Sequence, residues 1–416
     1  MSKHNTRSLG RERGVAMVVA LVLLVAATLT ALFTNSNLVF GVKSQGNQVK
    51  SVVAQEAATA GIEAALAILV NKTNRENLLA GTPAVAGWYE GRLYGFFLDT
   101  DDNGTANTLS IVQVTSSAAP TVPSDAVSSF QVRFQRLAAP PGVTEADIAV
   151  RIDALGCADG QTPNATAGAC TSRALLTQST LFKKGLASAP SAALTAKGNV
   201  TLSGSVEITN TDAATNGTTI HSGGTYSSGG SADLVTTPGT PPDASVASGD
   251  TTLSSLSDDR FFQGFFGESK ENVAADAVHV ACNGPCPSAI DAVDTQGKVI
   301  WVDADPTNGA QINSNVTIGS PTEPVILIVD GPLQINGNVI IYGLVYCTAL
   351  TWDNTGGGTS QIIGAAIAEG NFEATGTPNP TYDPDVLEEL GGNLGKYVRI
   401  GGGWKDWCND CNFTAW

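Results

Sequence analysis

The chain has 416 residues, of which only 14% are charged, and its formal net charge at pH 7 is −16. That length allows one large domain or two ordinary ones, and a charge deficit made up by Gly, Ser, Thr and Ala suits strands and turns better than a helical bundle. A surface this acidic repels phosphate backbones and excludes broad electrostatic binding of nucleic acid.

Basic charge is concentrated at the start, where Lys3, Arg7, Arg11 and Arg13 stand against Glu12. From Val15 to Val42 there is no charged residue, and the strongly apolar core, Val15 to Phe33, is interrupted only by Thr28 and Thr30. At ~1.5 Å per helical residue that core spans about 28 Å, close to the hydrocarbon thickness of a bilayer. The basic leader is expected to stay cytoplasmic. Three outcomes fit the segment: a secretory signal cut near Val25-Ala26-Ala27, an uncleaved single-span anchor, or a leader removed directly before the apolar run. The third is favoured because the helical pattern continues past the membrane. Val49, Val52, Val53, Ile62, Leu66 and Leu69 recur at helical spacing. One uninterrupted helix is predicted from Val15 to about Leu79, with Gly41 and Gly46 as weak points.

Here the sequence resembles a known family. Arg13-Gly14-Val15-Ala16-Met17-Val18-Val19-Ala20-Leu21 looks like the processing region of PilX-type minor pilins of type IV pili. Gln55-Glu56-Ala57-Ala58-Thr59-Ala60-Gly61-Ile62-Glu63 resembles the second half of their helix. The resemblance implies that a prepilin peptidase cuts after Gly14 and N-methylates Val15. It also implies an α+β fold in which a long pilin helix packs under an antiparallel sheet. Major pilins carry glutamate at the fifth mature position, pairing with a neighbour's terminal amine, and this chain has Val19 there. A buried unpaired amine is costly, so the departure fits a tip or initiating subunit better than the shaft.

Trp88 to Phe97 and Leu109 to Val114 read as strands joined by Asp99-Thr100-Asp101-Asp102-Asn103-Gly104. Asp99, Asp101 and Asn103 have the alternate spacing of the first half of a calcium loop, but Ser110 stands where its closing glutamate belongs. A plain acidic turn is the other reading, and Asp303-Ala304-Asp305 with Asn308-Gly309 is a weaker copy. Ser129 to Phe134 and Ala149 to Leu155 alternate apolar and polar residues as half-buried strands do. Cys157 and Cys170 flank a Gly/Asn/Thr-rich loop before a further strand, Ala174 to Phe182, which predicts a hairpin stapled at its base by a disulfide.

From about Leu186 the composition turns to Ser, Thr, Gly and Asn. Gly198-Asn199-Val200, Ser314-Asn315-Val316 and Gly337-Asn338-Val339 repeat one corner motif. Short strands between Asn/Gly corners predict stacked coils of a β-solenoid, with a flat sheet as the alternative. Phe261, Phe262, Phe265 and Phe266 lie on one side of a helix, read as a cap on the apolar end of that stack. His279, Cys282 and Cys286 could supply three zinc ligands, and a small Cys282–Cys286 disulfide loop is the favoured reading. Asp383-Pro384 opens a short helix, Tyr397 to Ile400 is a last strand, and Gly403-Trp404-Lys405-Asp406 resembles the end of PilX-type chains. Cys408 and Cys411 form the third local pair, with partner exchange among these four sulfurs open and Cys347 left over. The expected layout is a leader (1–14), a helix (15–80), a pilin-like β head (81–187), a solenoid-like insertion (188–372) and a C-terminal segment (373–416).

Catalysis is not expected. The only histidines are His4, His221 and His279, and no nucleophile elbow, phosphate loop or dinucleotide fingerprint is present. No cofactor is expected beyond the calcium option. The resemblance implies a minor pilin, assembled with other minor pilins, a major pilin and a PilY-type tip adhesin on an inner-membrane platform. Its head would finally stand outside the cell. Two other readings remain at this point: an anchored or secreted surface adhesin outside any pilus, and a DNA-uptake receptor pilin, which would need a basic groove.

Overall fold

The computed structural model describes residues 13–79, 88–103, 105–114, 120–137, 149–162, 170–282, 284–286, 289–290, 293, 295–305, 308–313, 315–355 and 360–406. In chain order, two helices, α1 (Arg13–Ile68) and α2 (Lys72–Leu79), precede five strands. These are β1 (Trp88–Leu98), β2 (Thr108–Val114), β3 (Ala126–Arg136), β4 (Ala149–Cys157) and β5 (Arg173–Lys183). Seven short strands follow: β6 (Leu194–Ala196), β7 (Val200–Gly204), β8 (Glu207–Thr209), β9 (Ile220–Ser222), β10 (Tyr226–Ser228), β11 (Asp233–Val235) and β12 (Val246–Ala247). Then come α3 (Thr251–Ser254), α4 (Asp258–Phe266) and α5 (Lys270–Asp276). Strands resume with β13 (Val278–Cys282), β14 (Gly284–Pro285), β15 (Val299–Ala304), β16 (Ala310–Ile312), β17 (Val316–Ile318) and β18 (Val325–Asn336). The chain closes with β19 (Val339–Asn354), β20 (Ser360–Ala368), β21 (Phe372–Gly376), β22 (Pro378–Tyr382), α6 (Pro384–Asn393) and β23 (Lys396–Lys405). The fold is α+β: a long helix, an antiparallel head sheet, and a parallel stack inserted into that sheet.

The head sheet has the order β2-β1-β3-β4-β5-β23, and every neighbouring pair is antiparallel. Alternation decides its faces. Phe130, Val132, Phe134, Val150, Ile152 and Ala154 point to one side and bury Ala58, Ile62 and Ala65 of α1, and Leu69 just after it, beneath them. Small residues let helix and sheet approach closely. A Cβ on Gly156 would land 2.0 Å from the Ala54 carbonyl oxygen, so β4 tolerates only glycine there.

One expectation fails at the end of this helix. Instead of running unbroken to Leu79, the chain turns at 69–71 and restarts as α2. Asn71 Oδ1 accepts from the Asn74 amide at 3.1 Å, capping the new helix. Arg75 then folds back and Nη1 donates to the Leu69 and Val70 carbonyls at 3.1 and 2.7 Å, satisfying acceptors that a helix end leaves unpaired. The predicted weak points, Gly41 and Gly46, lie within unbroken α1.

The insertion is a β-solenoid-like stack of parallel strands in three ladders. Asn199 shows why its corners read Gly-Asn. The Asn371 side-chain oxygen accepts the Asn199 amide from one coil away, and the Asn199 oxygen accepts the Thr225 amide on the next, each at 2.9 Å. The preceding glycine makes room: a Cβ on Gly198 would sit 2.4 Å from Asn371 Oδ1, and one on Gly224 2.3 Å from Asn199 Oδ1. Of the three sequence motifs, two share a corner, with Val316 stacked on Val339 and Asn338 donating to Asn315 at 2.9 Å. Gly198-Asn199-Val200 belongs to a different corner, where Val200 stacks on Phe372.

The stack is not wound in chain order. It starts in its own middle: β6, β7 and β8 pair with β9, β10 and β11 on one side and with β20, β21 and β22 on the other. After β12 ends the first arm, the chain passes through α3, α4 and α5 to β13 at the opposite end and coils back to the middle. Both ends of the insertion therefore emerge together, beside β5 and β23, which pair directly. The coils extend through β22, beyond residue 372, where the sequence reading ended them.

The phenylalanine helix is also placed differently. Ser257 accepts from the Arg260 amide, and Gly267 closes the helix in the left-handed region at φ 69°. It does not cap an end of the stack. Phe262 lies against Tyr346 and Trp301, with ring centroids at 5.0 and 6.4 Å, and Phe266 is 5.6 Å from Tyr346. Trp301, Ile328, Tyr346 and Ile367 occupy successive rungs of one ladder. The helix thus covers a lateral face, and together with α6, which packs on β19 and β20, it leaves Val325 to Val329 and Gly364 to Ala368 buried on both sides.

Candidate functional site

α1 divides at Ala54. Nearly every described side chain from Met17 to Val52 is exposed, although the segment is almost wholly apolar over its first half. Thr28, Thr30 and Thr34 turn their hydroxyls back onto the carbonyls of Val25, Ala26 and Thr30 at 2.9, 2.7 and 2.8 Å. The polar groups in the span are thereby satisfied within the helix, as a hydrocarbon environment demands. Among the described residues, one helix is long and apolar enough to cross a membrane, and this is it. Gly14 and Val15 fall in its first turn. Val19 is 51% exposed. From Ala54 onward the same helix is a packing element, buried on Ala54, Ala57, Ala58, Ile62 and Ala65.

Two polar ties fix the packed half. Lys50 Nζ bonds Asp159 Oδ1 and Thr171 Oγ1, each at 2.9 Å, and Asp159 also accepts from the Thr171 amide and hydroxyl. Burial alone would raise the Asp159 carboxyl, but the Thr171 bonds and Lys50 outweigh it and hold the group below its ordinary value. This knot sits on the β4–β5 hairpin, where Cys157 and Cys170 are joined by a disulfide. Glu63 pairs with Arg399 on β23.

Arg75 links the helix end to the insertion. Besides the Leu69 and Val70 carbonyls it bonds the Gly395 and Gly392 carbonyls at 2.9 and 2.6 Å, and its guanidinium lies 4.9 Å from the centre of the Phe182 ring. Burial pushes its pKa down, against the opposing effects of Tyr397 and Glu76. Further ion pairs bolt head to stack: Lys72–Glu389, Lys183–Glu268 and Lys396–Asp276. They cross or border an open cleft of about 960 Å³ whose lining includes Lys72, Lys183, Lys184, Lys298 and Lys396. Burial, with help from nearby Lys396, lowers the Lys183 ammonium. Inside the stack, Glu369 is only 6% exposed and receives Tyr346 Oη at 2.7 Å and Lys270 Nζ at 2.5 Å. Burial and that carboxylate push the Tyr346 hydroxyl up, and burial does the same to the Cys347 thiol.

The metal-type motifs assemble differently from a ligand shell. Asp99 Oδ1 accepts the Asn103 amide at 3.1 Å, Asn103 Oδ1 accepts the Thr105 amide at 2.8 Å, and Asn103 Nδ2 donates to Asp101 Oδ2 at 2.9 Å. These bonds build the β1–β2 turn. Cys282 and Cys286 are bonded to each other, while His279 Nδ1 faces Asp303 Oδ2 at 3.0 Å and Nε2 faces the Ala274 carbonyl at 2.9 Å. The three-ligand zinc reading therefore does not assemble. Cys347 is a buried free thiol, and Cys408 and Cys411 lie outside the described residues.

No protein-family model matches the chain, and no curated protein matches it significantly. A crystal structure described as the competence-associated pilin ComZ from Thermus thermophilus is similar over 86% of this chain and 97% of its own, at 13% identity. Its TM-score is 0.22, too loose an overlap to identify a shared fold.

Proposed function

We propose that the chain is a pilin-like subunit, made as a membrane-inserted precursor and built through α1 into a type IV filament. The observation that carries this reading is the division of α1 at Ala54. Its exposed, nearly charge-free half is suited first to lipid and then to neighbouring helices, and its packed half is locked beneath an antiparallel sheet. On this reading a prepilin peptidase removes the leader after Gly14 and methylates Val15. The role is structural and non-catalytic. The large inserted stack and Val19 favour a minor pilin of PilX type at a tip or initiating position, with other pilins, a PilY-type adhesin and the inner-membrane platform as partners. Attachment through the stack would follow from its display at the cell surface.

Fractionation tests the reading. An epitope placed in the exposed 227–233 segment should appear in sheared surface fibres from cells making a pilus machine, and should be lost when the assembly motor is deleted. Retention of all epitope in the membrane fraction of both strains would reject incorporation and favour an anchored surface protein.

A further inference from the structure

The helix does not cover the whole face of the head sheet that it packs on. α1 rests on β3, β4 and β5, touches β1 slightly, and makes no extended contact with β2. Leu109 and Ile111 of β2 lie opposite Phe97 and Gly95, and Gly95 lies opposite Phe130, so both share the face that holds α1. They are 41% and 42% exposed, and Phe97 beside them is half-buried. At the far end of the strip Gln113 Nε2 is buried without a hydrogen-bond partner. The result is an uncovered apolar strip beside a helix.

We infer that this strip, Phe97–Leu109–Ile111, is the seat for the exposed part of α1 from a second copy of the chain. Resting on the filament reading, the inference names one of its contact surfaces. Three observations choose this occupant. Two strands of a sheet are about 10 Å wide, the diameter of one helix with its side chains, so the strip takes a single helix alongside the resident one. The strip residues of β2 carry no charge, and neither does α1 from Val15 to Val42, within a chain of net charge −16. Joining them desolvates no ion, unlike contact with the acidic remainder of the surface. The strip also continues the face on which the chain already seats its own α1, through Phe97, which packs against the same cluster.

The test uses full-length protein in bilayer discs, half of it isotope-labelled, with a photoreactive residue at Ile111. The expected product joins position 111 of one copy to a peptide from residues 17–42 of the other, identified by its mixed labelling. Leu109→Asp with Ile111→Asp, read by a second probe at Phe97, should abolish that product while leaving the melting temperature of the head within a few degrees. Products confined to lipid or to the same copy would overturn the inference. A parallel probe at Val25 reports on the filament reading separately. Helix-to-helix products there with none at 111 would reject this seat and keep that reading, and absence of products at both positions would reject both.

Discussion

Replacing Arg75 with Met should separate the helix end from the insertion. The guanidinium donates to four backbone carbonyls, Leu69, Val70, Gly392 and Gly395, at 3.1, 2.7, 2.6 and 2.9 Å. Bonds to a charged donor contribute about 1.5–3 kcal/mol each, and part of that is offset because Met avoids the cost of burying a cation. With the residue only 7% exposed, water replaces the lost donors poorly, and a net loss of about 3 kcal/mol is expected. That is a large share of the ~5–15 kcal/mol stability of an ordinary domain. The assay is denaturant unfolding of the full chain in detergent, followed by tryptophan fluorescence, with amide exchange across 69–79 and 390–396. Arg75→Lys should recover part of the loss, because one ammonium replaces a two-pronged donor. A loss below about 1 kcal/mol, or exchange unchanged in both segments, would show that the clamp does not hold the two parts together.

Gly156→Ala should cost about 1–3 kcal/mol, since its methyl meets the Ala54 carbonyl, and the melting temperature reads this directly. Phe262→Ala should cost about 3–5 kcal/mol and raise amide exchange in α4 before the coils respond; equal exchange in both would contradict a helix that merely covers their flank. Asp159 is held below its ordinary value, so its stabilisation is complete above the unfolded carboxyl pKa of about 4 and is lost as pH falls through the lower folded value. Asp159→Asn should therefore flatten acid destabilisation, and parallel pH curves for the two proteins would refute this. His279 behaves oppositely. Both its nitrogens face acceptors, the hydrogen bond to Asp303 first among the causes, and its pKa is raised. Its stabilisation is complete below about 6.5 and fades as pH rises through the folded value, a fade that His279→Gln should remove.

Much of this architecture is legible in the sequence because its cause is local. Val15 to Phe33 declares a membrane-length helix by composition, Cys157 and Cys170 bracket a hairpin, and the Asn-Val pairs at 315 and 338 stack because they recur one coil apart. What escaped depends on contacts distant in the chain. Nothing near Leu194 announces that it will pair with Ala366, so the mid-stack start was invisible, as was the lateral seat of α4. The three-residue strands β9, β10 and β11 are too short for alternation to show. In sequence Arg75 is one charge in a short polar stretch, and its partners at 392 and 395 appear only in the fold. The available signal was the Asn71 cap position, which would have marked the break in the helix.

The central claim is that α1 is a processed assembly helix, and the mass of the N-terminal peptide tests it most directly. The protein is expressed in membranes with and without a prepilin peptidase, and the terminal peptide is weighed in each case. The account predicts a peptide beginning at N-methylated Val15 only when the peptidase is present. An intact Met1 or Ser2 terminus under both conditions, or a cut near Ala27, would contradict it.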